Sequence, residues 1–271
     1  MQELGVVTIA QNSTVDYVRL AYHQCLSLRR TNPGLPYAVI TDSETDKDIS
    51  DLVRQEFDHV VVMNHDRAEN QIWKLANESQ LFHLTPFRET IKVESDLLFT
   101  ANISHWWQAL RYRNAVISKG CVDHLGRTAT SRRNRQAFDA NQLPDLYTGL
   151  MYWRRCVESQ NLFSVVRNIQ DNWDELKKEF VLVGELETLE YPSTDLAFAI
   201  AVKLLGEELY TLPVSWFRMA HMKPDICQLP TSSAWHKQLV HDVNKQGMII
   251  AGHQQRYPVH YHDKEWEPSH V

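Results

Sequence analysis

Over its N-terminal third the chain alternates short β-branched runs with stretches of helical periodicity, and this alternation restricts the fold more than any other feature. Gly5-Val6-Val7-Thr8-Ile9-Ala10 reads as a strand. Val15 to Arg30 carries apolar residues at helical spacing (Val18, Ala21, Tyr22, Cys25, Leu26) and stops at Thr31-Asn32-Pro33-Gly34. Tyr37 to Asp42 reads as a second strand, Ile49 to Glu56 as a short helix and His59 to Met63 as a third strand. Ile72 to Leu84 reads as a helix broken before Pro86, and Ile91 to Phe99 as the next strand. Such a succession predicts an α/β fold with a parallel sheet and helices on its faces. Ligands then gather at the carboxyl ends of the strands, where Thr8 to Asn12, Thr41-Asp42 and Glu94 to Asp96 lie.

The stretch Ile91-Lys92-Val93-Glu94-Ser95-Asp96-Leu97-Leu98-Phe99 is a buried strand carrying acids at its end. Residues two apart on a strand share a side, so Glu94 and Asp96 can reach one cation. Two hard oxygen ligands suit Mg²⁺ or Mn²⁺ when diphosphate oxygens complete the shell. The alternative is that one acid faces water and the other caps the next turn. No Gly-x-Gly-x-x-Gly follows the first strand and no P-loop occurs anywhere. A phosphate site in this chain therefore needs a metal.

At 271 residues the chain suffices for one large domain or two small ones, and 43% apolar with 23% charged residues is a soluble globular profile. The net charge of -6 gives no general attraction to nucleic acid or anionic membrane. Cys25, Cys121, Cys156 and Cys227 form no Cys-x-x-Cys pair, which predicts free thiols in a reducing compartment. No basic leader or membrane-spanning run is visible, so a cytoplasmic location without membrane contact is the expectation.

Further along, Arg111, Arg113, Lys119, Arg127, Arg132, Arg133 and Arg135 stand against a single acid, Asp123. This reads as a mobile basic loop, either solvated or in contact with a polyanion or donor phosphates. Leu146 to Trp153 reads as a core strand in which Gly149 permits close approach. A long helix is expected from Val157 to Phe180, and another after Pro192-Ser193-Thr194-Asp195, with Ser193 or Thr194 as N-cap. Asp195 in its first turn is already explained by the helix dipole. Tyr210 to Val214 reads as a short strand. His221 and Lys223, two apart on an extended segment, can point into one site, the imidazole toward a metal and the ammonium toward a diphosphate. The tail from Trp235 holds His236, His241, His253, His260 and His262 without an acid at ligand spacing, and reads as packed on the surface of the domain.

In this order the motifs resemble the GT-A nucleotide-sugar transferases, and among them the glycogenin-like retaining glycosyltransferases, over roughly residues 5–224. The resemblance is carried by Cys25-Leu26-Ser27-Leu28-Arg29, Lys74-Leu75, Glu94-Ser95-Asp96-Leu97-Leu98-Phe99-Thr100-Ala101-Asn102-Ile103, Tyr147-Thr148-Gly149, Thr194-Asp195 and His221-Met222-Lys223-Pro224. Glu94 stands where the family has Asp, Ser193-Thr194-Asp195 lacks the usual Gln, and the closing segment is shortened. Phage-encoded glycosyltransferases that modify hydroxymethylated pyrimidines in DNA carry a similar acidic strand and a similar close.

What the resemblance implies is a GT-A (Rossmann-like) α/β fold, with a mixed, mainly parallel sheet and helices on both faces. Residues 1–103 would form the nucleotide-sugar half, 104–230 the acceptor half and 231–271 a packed tail. The implied activity is metal-dependent transfer of a hexosyl or pentosyl group from a nucleotide-diphosphate sugar, a UDP-sugar by the family pattern, with retention. Mn²⁺ or Mg²⁺ would be held by Glu94, Asp96 and His221. Thr8, Ala10, Tyr17, Asp42, Lys74, Ser95 and Lys223 would bind the donor, and Asp195 and Lys74 would be catalytic. Tyr147, Thr148, Gly149, Arg132 and Arg133 would meet the acceptor, with phage DNA in the host cytoplasm as one acceptor. The competing expectations are a degenerate domain that binds a nucleotide sugar or DNA, a sugar nucleotidyltransferase, and a metal hydrolase built on the His-rich tail.

Overall fold

The computed structural model describes residues 2–69, 74–130, 132–180, 182–212, 216–232, 234–244 and 247–268. In chain order the strands are β1 (Gln2–Ile9), β2 (Tyr37–Thr41), β3 (His59–Val62), β4 (Phe87–Val93), β5 (Leu97–Leu98), β6 (Ala115–Lys119) and β7 (Cys121–Val122). They continue with β8 (Thr128–Ala129), β9 (Leu146–Arg154), β10 (Ala220–His221), β11 (His241–Asn244), β12 (Gly247–Ile250), β13 (His253–Gln254) and β14 (Val259–His260). The main sheet runs β3-β2-β1-β4-β9-β6. Its β1, β2, β3 and β4 are mutually parallel, and β9 is antiparallel to both β4 and β6. The sheet is thus mixed and mainly parallel, with helices on both faces.

Alternation along each strand builds two cores. Val7, Ala38, Ile40, Met151 and Trp153 face the helices Val157–Asp171 and Thr194–Leu205. Val6, Val39, Ile91, Leu150 and Tyr152 face the helices Tyr17–Thr31 and Ser104–Leu110. Period-two alternation is what a sheet covered on both faces requires when every strand residue is apolar.

Several expectations shift. The strand carrying the acids ends at Val93, and Glu94 to Asp96 form a turn before β5. The two acids therefore converge through a turn and not through strand geometry. The segment Lys74–Gln80 is a 3₁₀ helix followed by an α-helical turn, Leu81–Leu84; Ile72 and Trp73 lie outside the described residues. The long helix divides at Asn172 into Val157–Asp171 and Trp173–Glu179. Of the strand expected over Tyr210 to Val214, Tyr210 ends the helix Glu207–Tyr210, Thr211 and Leu212 lie in no strand, and residues 213–215 lie outside the described residues.

The tail is not a surface appendage. β14 lies between β10 and β5 in a second sheet, ordered β5-β14-β10-β7-β8. Trp235, Tyr261 and Trp266 join Leu98, Val122, Ala220 and Met222 in a third core. Among the described residues no helix is long and apolar enough to cross a membrane.

Candidate active site

The acid turn is fixed from beneath. Gln24, fully buried on the first helix, donates its amide to the carbonyls of Glu94 and Leu97, and Tyr37 donates its hydroxyl to Gln24. The Glu94 amide donates to the Gly149 carbonyl (3.1 Å). A Cβ on Gly149 would lie 3.1 Å from Glu94 Oε2 and from the Met219 methyl, so glycine there makes room for the Glu94 carboxylate itself. The close approach expected at Gly149 is by this side chain.

The tail closes the site from above through backbone register. His260 on β14 pairs with Leu97 on β5, and the Tyr261 amide donates to the Asp96 carbonyl (3.0 Å). This sets His260 Nε2 at 2.9 Å from Asp96 Oδ2 and 3.1 Å from Glu94 Oε2. Lys264, one turn further on, forms an ion pair with Asp96 Oδ2. Ligand atoms of Glu94, Asp96 and His260 all lie within 4.8 Å of one another.

Electrostatics agree with the geometry. Burial pushes the Asp96 carboxyl up, but His260 and Lys264 outweigh it and hold the group well below the usual carboxylate range. Burial lowers His260, yet Asp96 and Glu94 raise it above the ordinary imidazole value. His221 stacks on His260 (centroids 4.3 Å apart) and is driven well below the imidazole range by burial and by the neighbouring His260 and His262. Of this stacked pair, His260 meets the acids and His221 is the ring behind it.

Around the cluster lies a cavity of about 520 Å³, lined among others by Gln11, Tyr17, Lys74, Glu78, Ser95 and His262. Lys74 Nζ donates to the Ala68 carbonyl (2.8 Å) and lies 3.3 Å from Asp66. Glu94 and His260 also face a second cavity of about 330 Å³. This one is lined by Arg135, Phe138, Tyr147, Gly149, Asp195, Lys223 and several aliphatic residues. Asp195 accepts from the Thr148 amide (2.8 Å) and hydroxyl (2.6 Å) and is ion-paired with Arg135. Arg135 also reaches Asp145 (3.2 Å) and lies over the Tyr147 ring (4.0 Å to the centroid). Beneath both cavities Lys92, fully buried, donates to Glu78 (2.9 Å) and to the Thr148 carbonyl (3.0 Å). This joins the wall of the first cavity to the residue that holds Asp195.

The residues singled out in the sequence are thus distributed unevenly. Glu94, Asp96, Tyr17, Ser95 and Lys74 meet at the first cavity; Tyr147, Gly149, Asp195, His221 and Lys223 meet at the second. Asp96 is met by His260 and Lys264; His221, expected as a metal ligand, stacks on His260, and Lys223, expected to bind the donor, lines the second cavity. Thr8 is fully buried with its hydroxyl donating to the Val93 carbonyl, Ala10 is fully buried, and Asp42 caps the helix Ser43–Asp48. None of these three lines either cavity. Arg132 and Arg133 open the helix Arg132–Ala140, and their side chains lie outside the described residues.

Within the basic stretch, four cations among the described residues make internal contacts. Lys119 pairs with Glu207, Arg127 with Asp123 and Arg135 with Asp145 and Asp195, while Arg113 donates to the Glu208 carbonyl. Sequence reasoning did not assign Gln11, Glu78, Lys264 or the Arg135 network. It noted His260 and His262 as possible metal ligands and set them aside because no acid or Cys accompanies them at ligand spacing.

No protein-family model and no curated protein matches this chain by sequence. Solved structures do match in shape. Mouse xyloside xylosyltransferase 1, in its apo form, superposes with a TM-score of 0.51 at 13% identity over 82% of this chain and 88% of that one. The glycosyltransferase GlyE of Streptococcus pneumoniae TIGR4 gives 0.47 at 14% identity over 79% of this chain and 46% of its own. The galactosyltransferase LgtC, in complex with donor and acceptor sugar analogues, gives 0.46 at 12% identity over 72% and 70%. The chain has the GT-A glycosyltransferase fold; at these identities the likeness is one of fold.

Proposed function

We propose that this chain is a metal-dependent glycosyltransferase that moves a sugar from a nucleotide-diphosphate sugar to a hydroxyl acceptor. The observation that carries the reading is the convergence of Glu94, Asp96 and His260, with Lys264 beside them, on the wall of a cavity at the carboxyl ends of β1 and β4. Two carboxylates and one imidazole are a donor set that fits Mn²⁺ or Mg²⁺. A divalent ion bound there supplies Lewis-acid charge for the departing diphosphate.

The protein groups supply the rest. Lys264 exchanges Asp96 for a diphosphate oxygen when the donor enters, adding positive charge where the leaving group develops its negative charge. Tyr17, Ser95 and Gln11 bound the nucleotide's space. Lys74, released from Asp66, reaches the donor sugar or its phosphate. Asp195 is held rigid by Thr148 and Arg135 and faces the reacting sugar from the second cavity, where its carboxylate orients the ring and offsets oxocarbenium charge. The bond between the anomeric carbon and the diphosphate oxygen breaks, a bond to the acceptor oxygen forms, and the acceptor proton leaves with the diphosphate. Retention of configuration and a uridine nucleotide follow the glycogenin-like pattern.

The acceptor enters the second cavity, past Tyr147 and Gly149. A DNA acceptor finds less support: four cations of the basic stretch are bound internally, and the net charge of -6 opposes polyanion binding. The test is a thermal-shift panel of UDP, GDP and TDP and their sugars, with and without Mn²⁺. A shift confined to one nucleotide and dependent on Mn²⁺ is expected. No shift with any nucleotide overturns the reading in favour of a degenerate domain.

A further inference from the structure

A third cavity, of about 510 Å³, adjoins the second and takes no part in the chemistry above. The wall between them consists of three contacts. The Arg135–Asp145 ion pair has its cation on the second cavity and its acid on the third. The Tyr147 hydroxyl lies 3.1 Å from the Thr130 hydroxyl, again one on each side. Ile226 lines both. One short segment borders the two spaces in turn: Lys223 faces the second cavity, Ile226 both, and Gln228 the third. Gln228 ends the helix Pro224–Cys227 with φ +52°, a left-handed backbone that a non-glycine residue adopts at a cost and that recurs at binding sites.

The chemistry of the third cavity is balanced. Lys119 and Arg218 bring positive charge, Asp145 and Asp225 negative charge, and Thr128 and Gln228 neutral polar groups. Lys119 is paired with Glu207, and Arg218 donates to the Lys119 carbonyl (3.1 Å) and the Thr128 hydroxyl (3.1 Å). A polyphosphate would meet two carboxylates without a net field to attract it. An apolar ligand would cover Val116, Ile117, Leu212, Phe217 and Ile226 but would strip water from all of these charged and polar groups, whereas a sugar lays its C–H faces on the former and keeps its hydroxyls for the latter. A neutral polyol satisfies both kinds of partner, because each hydroxyl donates to a carboxylate and accepts from an ammonium, guanidinium or amide.

We propose that the third cavity is an outer acceptor subsite and that the acceptor is a neutral oligosaccharide. Its terminal sugar lies in the second cavity under the reacting centre, and the preceding sugars pass over Ile226 along the Pro224–Cys227 helix into the third. The inference rests on the glycosyltransferase reading and adds the acceptor class to it.

The test uses the full chain loaded with UDP and Mn²⁺ and a panel of neutral glycans from mono- to pentasaccharide, with binding followed by saturation-transfer NMR and titration calorimetry. Glycans of three or more sugars are expected to bind at least about tenfold more tightly than their terminal monosaccharides, a modest gain for a few added hydrogen bonds. Arg218→Ala and Gln228→Ala should each remove most of that length dependence while leaving monosaccharide and UDP affinity unchanged. Gln228 has no ion pair to lose, so its variant keeps the test valid if Arg218→Ala fails to fold. Length-independent affinity, equal weakening of short and long glycans, or no glycan binding by UDP-loaded protein overturns the proposal. Failure of wild-type protein to bind any nucleotide of the thermal-shift panel overturns the glycosyltransferase reading, and the subsite with it.

Discussion

The two cavities that share Glu94 and His260 treat charge in opposite ways. In the first, an imidazole and an ammonium from the tail crowd onto one carboxylate, Asp96, beside an open space. A metal ion could be taken up between the imidazole and the two acids, and the ammonium could turn to a diphosphate, without breaking the main sheet. In the second, Asp195 accepts from a backbone amide, a hydroxyl and a guanidinium, and that guanidinium is itself shared with Asp145 and seated on Tyr147. This network is closed. The contrast teaches that similar charged groups can be arranged either to bind something absent or to hold a surface still. Substitutions on the first side should act on ligand and turnover, and loss of the partners that hold Asp195 on the second should act first on stability.

The strongest attempt to break the comparison is Asp96→Ala. It removes the acid on which His260 and Lys264 converge, and turnover should fall by about 10³-fold with Mn²⁺ dependence lost, the scale seen when a charge-stabilising group is deleted. Donor consumption assayed with and without Mn²⁺ decides it. Metal-dependent turnover that survives in the variant would mean the ion sits elsewhere.

Next in size is Arg135→Met on the closed side. Two partly buried carboxylates would lose their shared buried cation, and a loss of roughly 1.5–3 kcal/mol is expected, the range for hydrogen bonds to charged groups. The pH dependence gives a second reading. Burial raises the Asp195 carboxyl, but Arg135 and the Thr148 hydrogen bonds outweigh this and lower it. A depressed folded-state value contributes stability that is present above the unfolded value of about 3.9 and lost as pH falls through the folded value. The gap between wild type and variant should therefore be widest above pH ~4 and narrow below it, as measured by urea unfolding across pH. A gap independent of pH would show that Arg135 acts through packing on Tyr147 and Phe138 alone.

The open side was only half legible in the sequence, and the reason is physical. Local patterns announce local structure: β-branched runs gave β1 to β4, and Ser193 capped its helix as its position suggested. Glu94 and Asp96 stood out because they are two residues apart. His260 and Lys264 are separated from Asp96 by 164 and 168 residues, and only the pairing of β14 with β5 brings them together. A His-rich tail looks like surface when Glu94 and Asp96, the acids its His260 meets, lie far earlier in the chain. The basic stretch misled for the converse reason. Its cations cluster in sequence, but Glu207, Asp145 and Asp195, which neutralise three of the contacts, come from elsewhere.

A pair of histidine variants sharpens the assignment within the open side. His260→Gln should weaken Mn²⁺ binding by about 10–100-fold, the range for disturbing a metal's immediate surroundings, whereas His221→Gln should leave it within about twofold. Mn²⁺ titration followed by electron paramagnetic resonance separates the two. The reverse order would restore His221 as the ligand and make the stacking of the two rings (4.3 Å) a feature that rearranges on metal binding.

The smallest effect concerns how the tail is held over the site. Arg19 on the first helix reaches Glu267 (2.6 Å) and the Lys264 carbonyl (2.8 Å), a bridge between that helix and the segment that supplies Lys264. The Glu267 side chain is 69% exposed, and exposed pairs contribute about 0.2–1 kcal/mol. The tail has stronger anchors beneath: Trp266 packs against Trp235 and Tyr261 (centroids 4.9 and 5.0 Å), and the Trp235 indole donates to the Tyr261 carbonyl (2.8 Å). Arg19→Ala should therefore cost less than about 1 kcal/mol and raise the donor KM by no more than about twofold. Melting temperature and donor titration measure both. A loss of donor binding on the scale of the His260 variant would mean that Lys264 is positioned from the surface by Arg19 rather than from the core by Trp266, and the open side would then owe its readiness to a contact that salt can weaken.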